Sequence, residues 1–321
     1  QIANAAAVQL GAVIQQLEST AAGDLVPVKA TLTDPAEAPP SPSSPRTRIN
    51  LILGLLVGLA LGVGYAFLRE SLDTSVRSPD DLGELTGAMP IGIVSFDPEA
   101  SGKPLVALDQ RSTRAEAFRT IRTNLQYVDV DNPPKVIAIT SAVPNEGKTT
   151  TAVNLAITMA QAGKRVVLVE TDLRKPKASS YLGVESDLGL TDVLAGQSKL
   201  EDALLPWNRD LLTFLPAGHT PPNPSELLAS QQFEQVLAQL REEFDQVIVD
   251  ATPLLPVTDG AIVAKAADGA VVIVRYGKTT REQLATSLAA LEQVGARTLG
   301  TTLNFVPASR RGYGYAYRYS D

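Results

Sequence analysis

Apolar side chains recur at helical spacing at Ile2, Ala5, Ala6, Leu10, Val13, Ile14 and Leu17, which predicts an opening helix with one buried stripe. Leu25 to Leu32 alternates enough to read as a strand, and the Pro- and Ser-dense run Asp34 to Pro45 reads as an extended linker. Then comes INLILGLLVGLALGVGYAFL, Ile49 to Leu68, in which Asn50 is the one strongly polar side chain. At a rise of ~1.5 Å per residue this run spans the ~30 Å hydrocarbon core of a bilayer, so a transmembrane helix is predicted. Gly54, Gly58 and Gly62 recur every four residues on one face, where missing side chains let helices approach closely.

From Glu70 to about Asp131 the chain reads as a charged connector, with helical spacing only around Arg114 to Tyr127. From Val136 onward, strand-like apolar runs alternate with amphipathic helical stretches. The runs are 136–141, 165–170, 211–215, 246–250, 270–274 and 298–304. Strands separated by helices imply βαβ units and a mostly parallel α/β sheet covered on both faces.

Composition narrows the class. With 321 residues there is room for one enzyme-sized domain and attached pieces. A formal charge of −7 without a Lys/Arg-rich stripe argues against nucleic acid as a partner, because such binding needs a basic face. The absence of cysteine excludes disulfides and thiolate metal sites, and the lone His219, in a Pro-rich loop, reads as a solvated side chain. The chain begins at Gln1, without an initiator Met or signal peptide, and an N-terminally truncated piece of a longer protein is expected.

Three strand ends carry the chemistry. VIAITSAVPNEGKTTTAVNLAITMAQAG is a buried strand, a loop and a helix opening at Lys148 to Thr151. Ala142 to Thr149 fits the phosphate-loop pattern, with Ala where the first Gly usually stands. Backbone N–H groups at such a helix start wrap phosphates, Gly147 permits close approach, and the Lys148 ammonium neutralises charge. Thr149 can then bind Mg²⁺ through its hydroxyl. VVLVETDLRKP ends a second strand in Glu170 and Asp172, and QVIVDATPLLPVTDG delivers Asp250 to the carboxyl edge of the sheet, where open α/β sheets bind ligands. One magnesium–nucleotide site, taking ATP, explains all three. The positive-inside count is a tie, with Arg46 and Arg48 before the membrane span and Arg69 and Arg77 after it. The nucleotide site therefore sets the orientation, because ATP is cytoplasmic.

These residues resemble the bacterial tyrosine kinases, which use a partition-ATPase-like P-loop fold. The resemblance rests on SAVPNEGKTT, on VETDLRKP at Glu170 to Pro176 and on DATPLLPVTD at Asp250 to Asp259. Two further stretches separate that family from its ATPase cousins. LPAGHTPPNPSELLAS, Leu215 to Ser230, resembles its signature loop-helix, and EAFRTIR matches its oligomerisation motif at Glu116, Arg119 and Arg122. On a helix those three lie near one face and could form ion pairs across a subunit boundary.

The resemblance implies that Ala142, Asn145, Glu146, Gly147, Lys148, Thr149 and Thr150 contact the nucleotide. Lys148 would stabilise the transferred phosphoryl group, Thr149 and Asp172 would hold Mg²⁺, and Asp250 would assist through the metal or its water. Asn304 resembles an adenine-contacting Asn. Glu170 stands where the family usually has an Asp thought to act as general base towards the tyrosine hydroxyl; a carboxylate remains, one methylene longer. The family also implies a subunit ring, polysaccharide assembly and export machinery, a tyrosine phosphatase and the bacterial inner or cell membrane as partners or setting.

The expected organisation is a remnant of an extracytoplasmic chain-length-determinant domain (1–33), a linker (34–48), the membrane helix (49–68), a juxtamembrane connector (69–110), a cytoplasmic P-loop kinase domain (111–307) and a tail (308–321). Four of the eight tyrosines, Tyr313, Tyr315, Tyr317 and Tyr319, fall in that tail. Interleaved Gly, Ala and Arg preclude a packed element, so a mobile acceptor cluster is expected, reached by a neighbouring subunit's active site. The competing readings are a partition-type ATPase, in which water attacks the bound nucleotide, and a non-catalytic scaffold assembled by nucleotide binding.

Overall fold

The computed structural model describes residues 2–20, 34, 35, 37, 45–96, 112–208 and 212–307. These divide into two units, Gln1–Asp73 and Thr74–Asp321.

The first unit holds α1 (Ile2–Thr20) and α2 (Thr47–Ser71). The predicted stripe on α1 is not buried: Ile2, Leu10, Val13 and Leu17 are all exposed, because two helices joined by a Pro-rich linker provide no layer to cover it. No residue of α2 is buried either, and its most apolar window has a mean hydropathy of 2.4, so by length and composition it can cross a membrane. A Cβ built on Gly54, Gly58 or Gly62 meets nothing within 4 Å. The predicted strand Leu25 to Leu32 lies outside the described residues.

The second unit is an eight-stranded sheet in the order β1-β8-β7-β2-β6-β3-β5-β4. Its strands are β1 (Gly92–Ser95), β2 (Val136–Ser141), β3 (Val166–Glu170), β4 (Leu205–Trp207), β5 (Leu212–Leu215), β6 (Gln246–Asp250), β7 (Gly269–Arg275) and β8 (Thr298–Val306). All neighbours are parallel except β4 against β5. The expected mostly parallel α/β sheet is what forms.

The helices are α3 (Pro79–Thr86), α4 (Thr113–Tyr127), α5 (Lys148–Gln161), α6 (Ala178–Leu182), α7 (Leu190–Leu194), α8 (Leu200–Ala203), α9 (Pro224–Leu228), α10 (Gln231–Glu243), α11 (Asp259–Ala266) and α12 (Arg281–Gln293). Strand side chains alternate between two cores. Ile137, Ile139 and Leu168 pack with Phe118 and Ile121 of α4 and with Leu155 and Ile157 of α5. Val136, Ala138, Val167 and Val169 pack with Phe233 and Leu237 of α10, Val263 of α11 and Leu284 of α12. Burial on both faces explains why these strands read as continuous apolar runs rather than alternating ones.

Residues Thr74–Phe96, expected as connector, are part of the sheet domain. Ser75 bridges Thr280, Ser78 closes a capping box at the start of α3, and β1 lies parallel to β8 with Gly92 opposite Thr302. Four residues beginning with a glycine make too short a run to announce a strand.

Candidate active site

Strand β2, flanked by β7 and β6, ends at the carboxyl edge of the sheet, and the loop Ala142 to Gly147 leads from it into α5. Gly147 has φ +92° and a Cβ there would collide with the Asn304 carboxamide, so this position requires glycine. Asn145 is also left-handed (φ 66°), a conformation its short polar side chain tolerates. Ala142 is fully buried and is not among the left-handed residues, so the departure from the usual glycine imposes no backbone strain. No side chain caps α5, which leaves the N–H groups of its first turn available to an anion.

Lys148 lies between two carboxylates, with Nζ 2.9 Å from Oδ2 of Asp172 and 3.4 Å from Oδ1 of Asp250. Its ammonium also lies 3.3 Å from the Thr149 hydroxyl. Burial works against the charged ammonium, but Asp250 and Asp172 outweigh it and the Lys148 pKa is raised. Burial pushes Asp250 up to about 6, against the attraction of Lys148. Its Oδ2 is buried without a hydrogen-bond partner among the described residues. Such an atom suits a cation or a water bound to one. No cluster of three or more His, Asp or Glu of metal-holding geometry occurs among the described residues. A magnesium ion would thus draw part of its oxygen shell from nucleotide and water, as it commonly does.

The loop is braced from beneath. Glu146 is buried; its carboxylate accepts from the Val143 N–H at 2.9 Å and from the Thr279 hydroxyl, and burial raises its pKa. Asn304 donates from Nδ2 to the Glu146 carbonyl at 3.0 Å and accepts at Oδ1 from the Phe305 N–H at 2.9 Å. Both ends of its carboxamide are engaged in this bracing. The Arg275 guanidinium sits 4.4 Å from the Phe305 ring centre and donates to the Asn145 carbonyl at 2.9 Å.

Lys148, Thr149, Asp172, Arg275 and Phe305 line a cavity of about 480 Å³, together with Arg174, Lys175 and Lys177. Arg174 is held by the buried Asp259, at 2.7 Å from Nε, and donates to the Ser225 hydroxyl at 3.1 Å, which in turn donates to Asp259 at 2.5 Å. Burial opposes the Asp259 charge, yet Arg174 and Ser225 bring its pKa below the usual carboxylate value. Three sequence-distant segments meet here: VETDLRKP, the PPNPSELL stretch and the start of α11. The residues just upstream of that stretch are tied to α7, since Leu190 and Thr191 donate to the carbonyls of Pro216 and Ala217.

Lys148, Thr149, Asp172 and Asp250 are therefore brought together, as are Asn145, Glu146, Gly147 and Thr150 around them. Glu170 is placed differently: it is fully buried and is not part of the cavity wall. Glu116, Arg119 and Arg122 lie off the buried stripe of α4; Glu116 pairs with Arg119, and Arg122 reaches the Thr158 carbonyl at 3.2 Å. Tyr313, Tyr315, Tyr317 and Tyr319 lie outside the described residues. Sequence reasoning did not single out Arg174, Ser225, Asp259, Arg275 or Thr279, although the first three fall inside quoted motifs. Their signal is spatial, a charge pair spanning 85 residues.

Residues 134–303, more than half of the chain, match the family model of an AAA domain, and residues 3–71 match a G-rich domain (GNVR) described on tyrosine kinases. The chain is 41% identical over 208 residues to the tyrosine-protein kinase YwqD of Bacillus subtilis, covering 64% of this chain and 88% of that one. Against the tyrosine-protein kinase Etk of Escherichia coli K12 it is 30% identical over 306 residues, covering 89% of this chain but 42% of Etk, so it spans less than half of that relative. The solved kinase domain of the Escherichia coli tyrosine kinase ETK superposes with a TM-score of 0.69 at 28% identity, covering 73% of this chain and 96% of that domain. With this sheet, this phosphate loop and these relatives, the chain belongs to the bacterial tyrosine kinases, with a P-loop ATPase-like kinase domain.

Proposed function

We propose that this chain transfers the γ-phosphoryl group of ATP to tyrosines of its own C-terminal cluster, Tyr313, Tyr315, Tyr317 and Tyr319, in trans between subunits of a membrane-anchored ring. The observation that carries this is Lys148 held between Asp172 and Asp250 at the start of α5, beside a cavity also lined by Arg174, Lys175 and Lys177. Thr149, Asp172 and Asp250 are the groups that would hold magnesium, which when bound neutralises phosphate charge. Lys148, released from its carboxylates by a phosphate, would balance charge on the transferred group. Phosphoryl transfer asks for this positioning and charge compensation more than for covalent help.

On this reading α2 spans the membrane and the sheet domain lies in the cytoplasm. Glu116, Arg119 and Arg122 contact a neighbouring subunit, and a tyrosine phosphatase reverses the reaction. The process served is the assembly and export of a surface polysaccharide. The G-rich domain match over residues 3–71 and the tyrosine-kinase relatives support it. Incubation of the full chain in detergent with labelled ATP tests it: phosphotyrosine is expected. Release of inorganic phosphate without phosphotyrosine would indicate a partition-type ATPase, and neither product would indicate a scaffold.

A further inference from the structure

Glu170 ends β3 directly opposite Asp250 on β6, and neither carboxylate lines the cavity; both oxygens of Glu170 are engaged by donors outside it. One oxygen accepts from the Ala178 backbone N–H at 2.5 Å; the other accepts from the Ser179 hydroxyl at 2.7 Å and the Ala217 N–H at 3.4 Å. Ala178 and Ser179 open α6, whose N-cap residue Lys177 offers no side-chain cap of its own. The cap comes instead from the neighbouring strand. Fixed at one end by β3 and at the other by this cap is the loop Thr171 to Lys177, which presents Asp172, Arg174, Lys175 and Lys177 to the cavity. Asp172, by contrast, is the single carboxylate among the cavity-lining residues.

We propose that Glu170 is a positioning residue: it clamps α6 and the Ala217 turn onto β3, sets the loop that carries Asp172 and Arg174, and does not accept the acceptor tyrosine's proton. Its length is the argument. The hydrogen bonds to Ala178 and Ser179, at 2.5 and 2.7 Å, are made by a Glu carboxylate, and an Asp carboxylate would fall back by about 1.5 Å, one C–C bond. The Ala178 and Ala217 N–H groups left behind would be buried and unpaired. The inference rests on the kinase reading, and its test separates the two.

Glu170→Gln and Glu170→Asp give opposite orders under the two roles. Gln keeps the length, still accepts from the Ala178 N–H and can donate to the Ser179 oxygen, giving up the longer 3.4 Å contact with the Ala217 N–H; Asp keeps the charge and loses the reach. In the full chain, Gln is expected to retain phosphotyrosine formation within about tenfold of wild type, with an unchanged pH profile and a higher KM for ATP, and Asp is expected to fall below Gln. Loss of a general base instead costs roughly 10²–10⁴-fold. Asp equal to or above Gln overturns the proposal. Hydrogen exchange of the α6 amides decides even if wild type makes no phosphotyrosine, an outcome that would remove the kinase reading alone. Faster exchange at Ala178 in the Asp variant than in the Gln variant supports the clamp, and equal exchange in both overturns it.

Discussion

At the residue scale the strongest dependence is on Lys148 and Asp172. Lys148→Met or Asp172→Ala is expected to abolish phosphotyrosine while leaving the fold intact, as read by labelling and circular dichroism; undiminished labelling in either would remove this site from the mechanism. Asp250 adds a pH dependence. Its folded pKa, about 6, lies above the ordinary aspartate value of 3.8, so its contribution to stability is complete below the lower value and is lost as pH rises through the upper one. The full loss is about 3 kcal/mol. Melting the nucleotide-free protein from about pH 5 to pH 8 should show the decline, and Asp250→Asn should flatten it. Lys148, Thr149, Asp172 and Asp250 were legible in the sequence because strand order delivers all three motif ends to one edge. The Arg174–Asp259–Ser225 contact and the inward turn of Glu170 were not, since each depends on where a side chain finds its donor.

At the element scale the phosphate loop and α4 make separate predictions. Gly147→Ala places a methyl on a left-handed backbone and into Asn304, and nucleotide binding measured by calorimetry should be lost. Replacing Glu116, Arg119 and Arg122 together by Ala should convert oligomers of the full chain in detergent to monomers and slow autophosphorylation. An unchanged mass by light scattering would show that this face does not carry assembly. The side chains lie off the stripe of Ala115, Phe118, Ile121 and Leu125, so the helix should still pack. The strands of the sheet centre were readable as apolar runs, but their ends shifted where flanking residues continue the ladder, as in β8, which extends to Val306. β4 has no fully buried residue and β1 is four residues long, so neither stood out by pattern.

For the whole molecule the predictions concern topology and exchange between subunits. Protease added outside intact cells should cut near Asp34 to Pro45 and spare the sheet domain; protection there with digestion after Arg69 would invert the topology. Mixing a Lys148→Met protein with an active protein whose four tail tyrosines are Phe should place label on the inactive partner. If none appears while wild type labels itself at a concentration-independent rate, transfer is within one chain. Each phosphate would add roughly −1.5 to −2 charge to the tail of a chain already at −7, which should favour dissociation of the proposed ring.

The pairing of β1 with β8 also dictates when the enzyme becomes competent. The paired residues Gly92 and Thr302 lie about 200 positions apart, and β8 also carries the Asn304 that supports the phosphate loop. A ribosome adding ~5–20 residues per second takes roughly ten seconds or more between those strands. Throughout that interval the nascent chain has an unmatched sheet edge and an unfinished ATP cradle. Competence therefore waits for β8, and a polypeptide stalled before that strand would be unable to turn over ATP.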